Sequence, residues 1–238
     1  YMEHIMKLAK QYKLKVIEDA TEALGCYSKH GKYNGRFAGT IGDYGAYSFN
    51  GNKIITTGGG GMLVCKNKDD LKKGRYLSTQ AKDDPVNYIH HEVGYNYRMT
   101  NVQAAIGLGQ FEKLESYIDI KEHNYNVYKS EIKDISGLRL LDFNSGMRNN
   151  YWFYSLYVDE EIYGLSNFQL IDRLKKDRIE SCPIWGIICD QKPYEDNQKY
   201  MIKKSRYYRN KVVSIPCSIN LSKEDILDVV EALKNNHK

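Results

Sequence analysis

Apolar positions near the start of the chain change from helical spacing to a strand-like run. Four residues recur at intervals of three and four, which predicts a helix: Ile5, Leu8, Ala9 and Tyr12. The short run 15–17 follows and ends on the acidic residues Glu18 and Asp19. A helix followed by a buried strand is typical of a parallel sheet.

Four further elements are predicted in the first half of the chain. Residues 44–49 and 61–65 have strand character, and a helix is expected over residues 69–77. Another helix begins at Thr100, since Thr100 and Gln103 have the spacing of a capping box. This half is predicted to be an α/β layer structure.

The second half contains shorter alternating elements. Strands are predicted over residues 138–141, 151–158 and 212–215, and helices after Ser166 and Ser222. The last helix has an apolar face formed by Ile226, Val229, Val230 and Leu233. This pattern predicts a small α+β domain over residues 118–238, preceded by a larger domain over residues 1–117.

Composition narrows the class of protein. The 238 residues are 42% hydrophobic and 27% charged, as in globular proteins, and no apolar run is long enough to cross a membrane. The net charge of +5 is not concentrated in one part of the chain, so nucleic acid is not an expected partner. The five cysteines form no C-x-x-C pair, so we expect neither a disulfide framework nor a metal site, and we expect a cytoplasmic protein.

Several polar residues stand where predicted strands end. Asp19 ends one strand, and Ser48 and Lys53 lie around the exit of another. Ligands of open α/β sheets bind beyond such strand ends. Singly these residues are weak signals, because a strand-end Asp is commonly a turn former and a loop Lys is usually solvated. The glycine run 58–61 lacks the Lys-Ser/Thr of a phosphate-binding P-loop, which argues against nucleoside triphosphates.

The combination of segments is more specific than any one of them. In chain order they are residues 18–25, 42–43, 47–61, 93–99, 103–105, 150–154 and 191–194. This series closely resembles the DegT/DnrJ/StrS sugar aminotransferases, which are pyridoxal-phosphate enzymes of fold type I. The resemblance implies an α/β fold: the C-terminal part of the large cofactor domain, with a mostly parallel sheet and helices, and a small α+β domain. The branch it suggests is the legionaminic acid or bacillosamine type.

The resemblance also implies roles for individual residues. Lys53 would bind the aldehyde of pyridoxal 5'-phosphate covalently, and Asp19 would face the pyridine nitrogen. Ser48 matches a phosphate-binding hydroxyl, and Glu22 lies near the cofactor ring, where Gln or His is usual. Asn96 matches an amide that reaches the phosphate from a partner subunit, which implies a homodimer with a composite active site.

Two cysteines depart from the family pattern. Cys182 stands where relatives have an Arg, and Cys189 where a substrate-side His is common. We expect both to be small buried residues rather than reactive thiols. Loss of the Arg weakens the case for pyrophosphate recognition, for which Lys192 and Arg206 are the candidate replacements.

Two functions follow from these observations. The first is transfer of an amino group from glutamate to a nucleotide-linked 4-keto-6-deoxy sugar in bacterial surface-glycan biosynthesis. Lys53 favours this over the dehydratases of the same superfamily, which have His at that position. The alternative is a non-catalytic or split-chain module that associates with another chain. The family's large domain also begins before the position that matches Tyr1, so we expect the chain alone to hold the cofactor weakly.

Overall fold

The computed structural model describes residues 1–237. Contacts divide the chain into two compact units. The first contains residues 1–118 and the segment Asn144–Trp152, and the second contains residues 119–143 and the chain from Phe153 onward. The predicted domain boundary after residue 117 did not include the return of Asn144–Trp152 to the first unit, and the assignment of two domains stays a prediction.

The first unit contains three long helices and the start of a fourth, with short strands between them. Its helices are α1 (Met2–Gln11), α2 (Lys68–Ser78), α3 (Asn101–Phe111) and the first turns of α4 (Leu114–Ile132). Its strands are β1 (Ile17–Asp19), β2 (Tyr27–Ser28), β3 (Tyr44–Ser48), β4 (Gly61–Cys65) and β6 (Met147–Arg148). These elements agree with the predicted α/β character.

A three-stranded sheet in the order β1-β3-β4 organises this unit. Strands β1 and β3 are parallel, with Asp19 opposite Ala46, whereas β3 and β4 are antiparallel, with Ser48 opposite Gly61. The expected parallel arrangement therefore applies to one of the two strand pairs within residues 1–118. A separate antiparallel pair joins β2 to β6, so the segment Asn144–Trp152 is bound to the first unit through backbone hydrogen bonds.

A small apolar core lies beneath the loop that follows β3. Phe49, Ile55, Leu114 and Ile118 are buried together in it. Phe49 and Ile55 flank the segment that carries Lys53. Burial of both flanking residues anchors this loop at its two ends, which restricts the positions open to Lys53.

The second unit is built on a four-stranded antiparallel sheet. The sheet has the order β5-β7-β9-β8, formed by β5 (Leu138–Leu140), β7 (Tyr154–Val158), β8 (Cys182–Pro183) and β9 (Val212–Ile215). Its helices are the remainder of α4, α5 (Glu160–Tyr163), α6 (Asn167–Lys176), α7 (Lys203–Arg209) and α8 (Lys223–Asn235). The predicted apolar face of α8 is buried, as are all residues of β9.

The local signals at helix starts are confirmed. Thr100, Ser166 and Ser222 each cap a helix and take part in a reciprocal capping box with the residue three positions later. Each box satisfies backbone N–H groups that the helix itself leaves without partners.

The strand predicted over residues 151–158 is wrong at its start. Tyr151 has a left-handed backbone with φ of 53°, and β7 begins only at Tyr154. The side chain of Asn150 accepts a hydrogen bond from the backbone N–H of Trp152, which stabilises a turn at this point. Apolar alternation alone did not distinguish this turn from the strand that follows it.

Candidate active site

Lys53 lies on the loop that leaves β3, where the sequence placed it. Its backbone N–H donates to the carbonyl of Asn50, and the carbonyl of Phe49 accepts from the backbone N–H of Thr57. The hydroxyl of Thr56 also donates to Phe49. These bonds close the loop on itself and present the Lys53 side chain from a fixed turn.

The amine of Lys53 has two close neighbours. Its Nζ lies 3.9 Å from Oε1 of Glu22 and 4.2 Å from the centroid of the Trp152 ring. The Lys53 side chain is 13% exposed, whereas that of Glu22 is 49% exposed. The structure therefore brings together Lys53 and Glu22, which the sequence placed in one site, and adds Trp152.

Asp19 forms the acidic end of β1. Its carboxylate accepts hydrogen bonds from the hydroxyl of Thr21 at 2.7 Å and from the backbone N–H of Thr21 at 3.2 Å. These two bonds hold the pKa of Asp19 below its ordinary value, and the positive charge of Lys53 acts in the same direction. Asp19 is thus a carboxylate at neutral pH.

Glu22 differs from Asp19 in its electrostatic environment. Partial burial raises the pKa of Glu22, Lys53 lowers it, and the negative charge of Asp19 raises it. The charges of Lys53 and Asp19 therefore both act on Glu22. Neighbouring carboxylates whose pKa values are shifted in opposite directions are typical of an active site.

Glu18, the residue before Asp19 in β1, stabilises the backbone rather than the site around Lys53. Successive strand residues point to opposite faces, so Glu18 and Asp19 face different surroundings. The Glu18 carboxylate accepts backbone N–H bonds from Gly39, Ile41 and Gly42. It thereby fixes the loop before β3, while Asp19 remains on the side of Lys53.

The two residues predicted to bind the cofactor phosphate, Ser48 and Asn96, lie in different surroundings. Ser48 ends β3, is half-buried, and accepts a hydrogen bond from the backbone of Asn50, so it borders the Lys53 loop. Asn96 is exposed and forms an isolated antiparallel bridge with Thr79, next to the stacked rings of Tyr95 and Tyr97. The roles of Ser48 and Asn96 stay predictions.

Sequence reasoning gave no role to Asn150 and Trp152, although both lie in a segment that carried the resemblance. The indole N–H of Trp152 donates to the carbonyl of Asn52 at 2.8 Å. The amide of Asn150 donates to the carbonyls of Glu22 and Leu24 at 2.9 and 3.0 Å. The only available signal was the segment itself, because hydrophobic patterns do not report side-chain contacts between distant residues.

The expectation for the two cysteines is only partly met. Cys182 is exposed at the start of β8, contrary to the expected burial, because it lies on the edge strand of the sheet. Cys189 is half-buried, and its thiol lies 3.7 Å from a carboxylate oxygen of Asp190. Arg206 donates two 2.6 Å hydrogen bonds to Asp190, which engages the guanidinium that was a candidate for pyrophosphate binding.

Two kinds of feature are absent from residues 1–237. No group of three or more His, Cys, Asp or Glu residues has the arrangement of a metal site there. None of the helices described in that range is long and apolar enough to cross a membrane.

A sequence profile described as the DegT/DnrJ/EryC1/StrS aminotransferase family matches residues 1–234. The chain belongs to this family. The chain is also similar to EpsN of Bacillus subtilis (strain 168), described as a candidate pyridoxal phosphate-dependent aminotransferase. EpsN is 38% identical over 184 residues, which cover 77% of this chain and 45% of EpsN.

Two further proteins extend the comparison. The GDP-perosamine synthase of Escherichia coli O157:H7 is 34% identical over 235 residues, which cover 98% of this chain and 61% of that protein. The crystal structure of DesI with its TDP-sugar product superposes with a TM-score of 0.88 at 24% identity, covering 98% of this chain and 58% of DesI. The α/β fold of these aminotransferases is thus confirmed for this chain.

The two curated relatives are longer than this chain. The chain spans between 45% and 61% of the length of the two curated relatives it matches here. The description of EpsN names no sugar, and that of the second relative names GDP-perosamine, so neither confirms the narrower expectation of a legionaminic acid or bacillosamine branch. What the match establishes is that the chain belongs to the DegT/DnrJ/EryC1/StrS aminotransferase family.

Proposed function

We propose that this chain carries the lysine-bearing part of a pyridoxal phosphate-dependent nucleotide-sugar aminotransferase. The amino donor would be glutamate, and the acceptor a nucleotide-linked 4-keto-6-deoxy sugar used in bacterial surface glycans. The observation that carries the proposal is the position of the Lys53 amine beside Glu22, with Asp19 close enough for its charge to act on both.

The residues present fit the cofactor by their chemistry. Pyridoxal 5'-phosphate, when bound, supplies an aldehyde that takes up the amino group and a ring that accepts electron density. Lys53 is a mostly shielded primary amine on a closed loop, as covalent capture of an aldehyde requires. Asp19 is a carboxylate held in its ionised form by Thr21, so it can keep a proton on a pyridine nitrogen. Ser48 offers a hydroxyl at the strand end for the phosphate.

Glu22 contributes a second carboxylate on the other loop. Its raised pKa makes it the more readily protonated of the two acids. A carboxyl group in this state can donate or accept a proton near Lys53, whereas Asp19 remains charged. Two carboxylates with different environments can thus serve two different tasks.

The first test is covalent mapping of the lysine. We expect the 238-residue chain mixed with pyridoxal 5'-phosphate to develop a visible absorbance band, and borohydride to fix the label mainly on Lys53. Borohydride trapping also records short-lived condensation, so weak binding does not hide the result. Lys53→Ala should remove the band and the label. Lys15→Ala is the matched control, since Lys15 is an exposed lysine of the same unit paired with Asp43.

The distribution of the label over the lysines can also contradict the proposal. A label spread over surface lysines, with Lys53 modified no more than Lys15, would show that the chain has no selective cofactor lysine. A label found selectively on Lys53 would support the enzyme over the non-catalytic module. Acceptor choice can then be measured by offering GDP-, dTDP- and UDP-linked keto sugars in parallel.

We propose further that the chain acts as a homodimer in the cytoplasm, with Asn96 serving the partner's site. Asn96 is exposed, which leaves its amide accessible to a second subunit. Helix α3 also exposes an apolar set that association would cover: Val102, Ile106, Leu108 and Phe111. Sedimentation equilibrium should then give twice the chain mass, and Leu108→Glu should lower it. A monomer at all concentrations would exclude the composite site.

A further inference from the structure

The amine of Lys53 lies over the face of an indole ring. The distance from Nζ to the ring centroid of Trp152 is 4.2 Å, inside the range of about 6 Å at which a cation is attracted to an aromatic face. Trp152 is 8% exposed and the Lys53 side chain 13% exposed, so little water screens this attraction. The contact joins two residues that are far apart in the chain.

Hydrogen bonds hold the indole ring in this place. Its N–H donates to the carbonyl of Asn52, the residue before Lys53, at 2.8 Å. The backbone N–H of Trp152 donates to the side chain of Asn150 at 3.1 Å. The ring is therefore tied to the loop that carries Lys53, and any movement of that loop changes both contacts together.

Asn150 connects the same segment to the loop that carries Glu22. Its amide nitrogen donates to the backbone carbonyls of Glu22 and Leu24, and its amide oxygen accepts from Trp152. Asn150 is only 5% exposed, so its side-chain amide meets its hydrogen-bonding needs within the protein. One short segment thus contacts both loops of the candidate active site.

We propose that Asn150 and Trp152 are positioning residues for the proposed reaction, on which this inference rests. Asn150 fixes the loop that carries Glu22, and the indole face of Trp152 holds the Lys53 ammonium group beside the Glu22 carboxylate. The charged groups facing Lys53 are Glu22 and Asp19, while the segments of Asn52 and Asn150–Trp152 contribute no charge. The ring face therefore adds one more attraction on the Lys53 amine to that of the Glu22 carboxylate.

Fluorination of tryptophan tests this role without changing the shape of the side chain. The chain has two tryptophans, so Trp185→Phe leaves Trp152 as the only one. This variant is produced with normal, monofluorinated or difluorinated tryptophan, which keeps the indole N–H but makes the ring face progressively less negative. Each protein is mixed with pyridoxal 5'-phosphate between pH 6 and 11 and then treated with borohydride.

The amount of label fixed on Lys53 measures how much of its amine carries no extra proton and can react. The lysine nitrogen adds to the aldehyde carbon, water leaves, and borohydride reduces the C=N bond to a stable secondary amine. We expect the pH of half-maximal labelling at Lys53 to fall in steps with fluorination, by about half a pH unit overall. Lys7, an exposed helix lysine, is the internal control and should keep one profile in all three proteins.

Two substitutions of Trp152 separate attraction of the Lys53 ammonium group by the ring face from simple filling of space by the side chain. Trp152→Phe keeps an aromatic face that is less negative than indole and loses the N–H bond to Asn52, so its profile should lie between those of the parent and of Trp152→Leu. Trp152→Leu loses the face, and its profile should lie at least as low as that of the difluorinated protein. The role of Asn150 is tested with Glu22→Gln, which removes the carboxylate beside Lys53 and shifts the pH of half-maximal labelling at Lys53. In an Asn150→Ala background, where the Glu22 loop loses its hydrogen bonds to this amide, that shift should be at least halved.

The outcomes distinguish the two proposals. Absence of label on Lys53 in the parent at every pH would overturn the proposed function itself. Selective labelling of Lys53 with one profile across the fluorinated series would leave the proposed function standing and overturn the role of the indole face. An equal Glu22→Gln shift with and without Asn150 would overturn the role of Asn150.

Discussion

The hydroxyl of Thr21 donates a 2.7 Å hydrogen bond to the carboxylate of Asp19, and the backbone N–H of Thr21 donates a second bond to the same oxygen. Both bonds favour the charged form of Asp19, so its pKa lies below the ordinary value of 3.8. The stabilisation of the folded state from this group is present above that value and is lost as the pH falls through the folded-state pKa.

We therefore expect Thr21→Val to raise the pKa of Asp19, because the side-chain bond is removed while the backbone bond can remain. Carboxyl carbon NMR titration between pH 2 and 6 measures the change directly. Asp84 is a control within the same spectra, since its pKa is lowered by bonds from Asn87 and Val86 elsewhere in the unit. An unchanged Asp19 titration would show that the hydroxyl does not determine its ionisation.

Close packing of two glycines should make the sheet of the first unit sensitive to a single methyl group. A Cβ at Gly45 would clash with the carbonyl oxygen of Gly39, whereas nothing lies within 4 Å of a Cβ at Gly51. We expect Gly45→Ala to lower the free energy of unfolding by about 2–3 kcal/mol, as overpacking does. Gly51→Ala is the matched control and should change it by less than about 0.5 kcal/mol.

Urea unfolding measures this difference in a Trp185→Phe background, where fluorescence reports only Trp152 and hence the first unit. Similar unfolding midpoints for both alanine variants would mean that the strand shifts to accept the methyl group.

The capping box of α6 gives a test in the second unit. The side chain of Ser166 accepts a hydrogen bond from the backbone N–H of Gln169, and Gln169 accepts from the backbone N–H of Ser166. Ser166→Ala should lower the free energy of unfolding by about 1 kcal/mol. Ser166→Asp keeps an acceptor and should recover most of the loss in circular-dichroism unfolding curves. Equal losses in the two variants would contradict a capping role.

Local structure was predictable where short-range chemistry determines it. The boxes at Thr100, Ser166 and Ser222 follow from spacings of three residues, and the buried face of α8 follows from helical periodicity. These features need no knowledge of the rest of the fold.

The candidate site was predictable only in its residue identities. The resemblance pointed to Asp19, Glu22 and Lys53, but the Lys53–Trp152 contact depends on a segment about one hundred positions further along the chain. The left-handed Tyr151, which ends the turn before β7, was invisible to the alternation that predicted a strand there. Long-range hydrogen bonds such as that from Trp152 to Asn52 arise from the tertiary fold, on which local propensity has little bearing.

Lys121 provides a pH-dependent prediction in the core of the second unit. It is 4% exposed, its Nζ donates to the carbonyl of Cys217, and it lies 5.3 Å from the centroid of the Tyr154 ring. Burial lowers the pKa of Lys121 below its ordinary value of 10.5. The folded state therefore binds this proton less tightly than the unfolded state does, and stability from this group rises as the pH increases toward 10.5.

Lys121→Met removes this titration while filling a similar volume. We expect the free energy of unfolding of the wild-type protein, relative to Lys121→Met, to increase between pH 7 and pH 9.5, because the cost of burying the ammonium group declines over that interval. Groups that titrate in both proteins largely cancel in the difference. Lys129→Met is the control. Lys129 is exposed and pairs with Asp142, which raises the pKa of Lys129. The difference in unfolding free energy between the wild-type protein and Lys129→Met should therefore stay nearly constant between pH 7 and pH 9.5. A flat difference for Lys121 as well would mean that its amine keeps its proton in the folded state at no measurable cost.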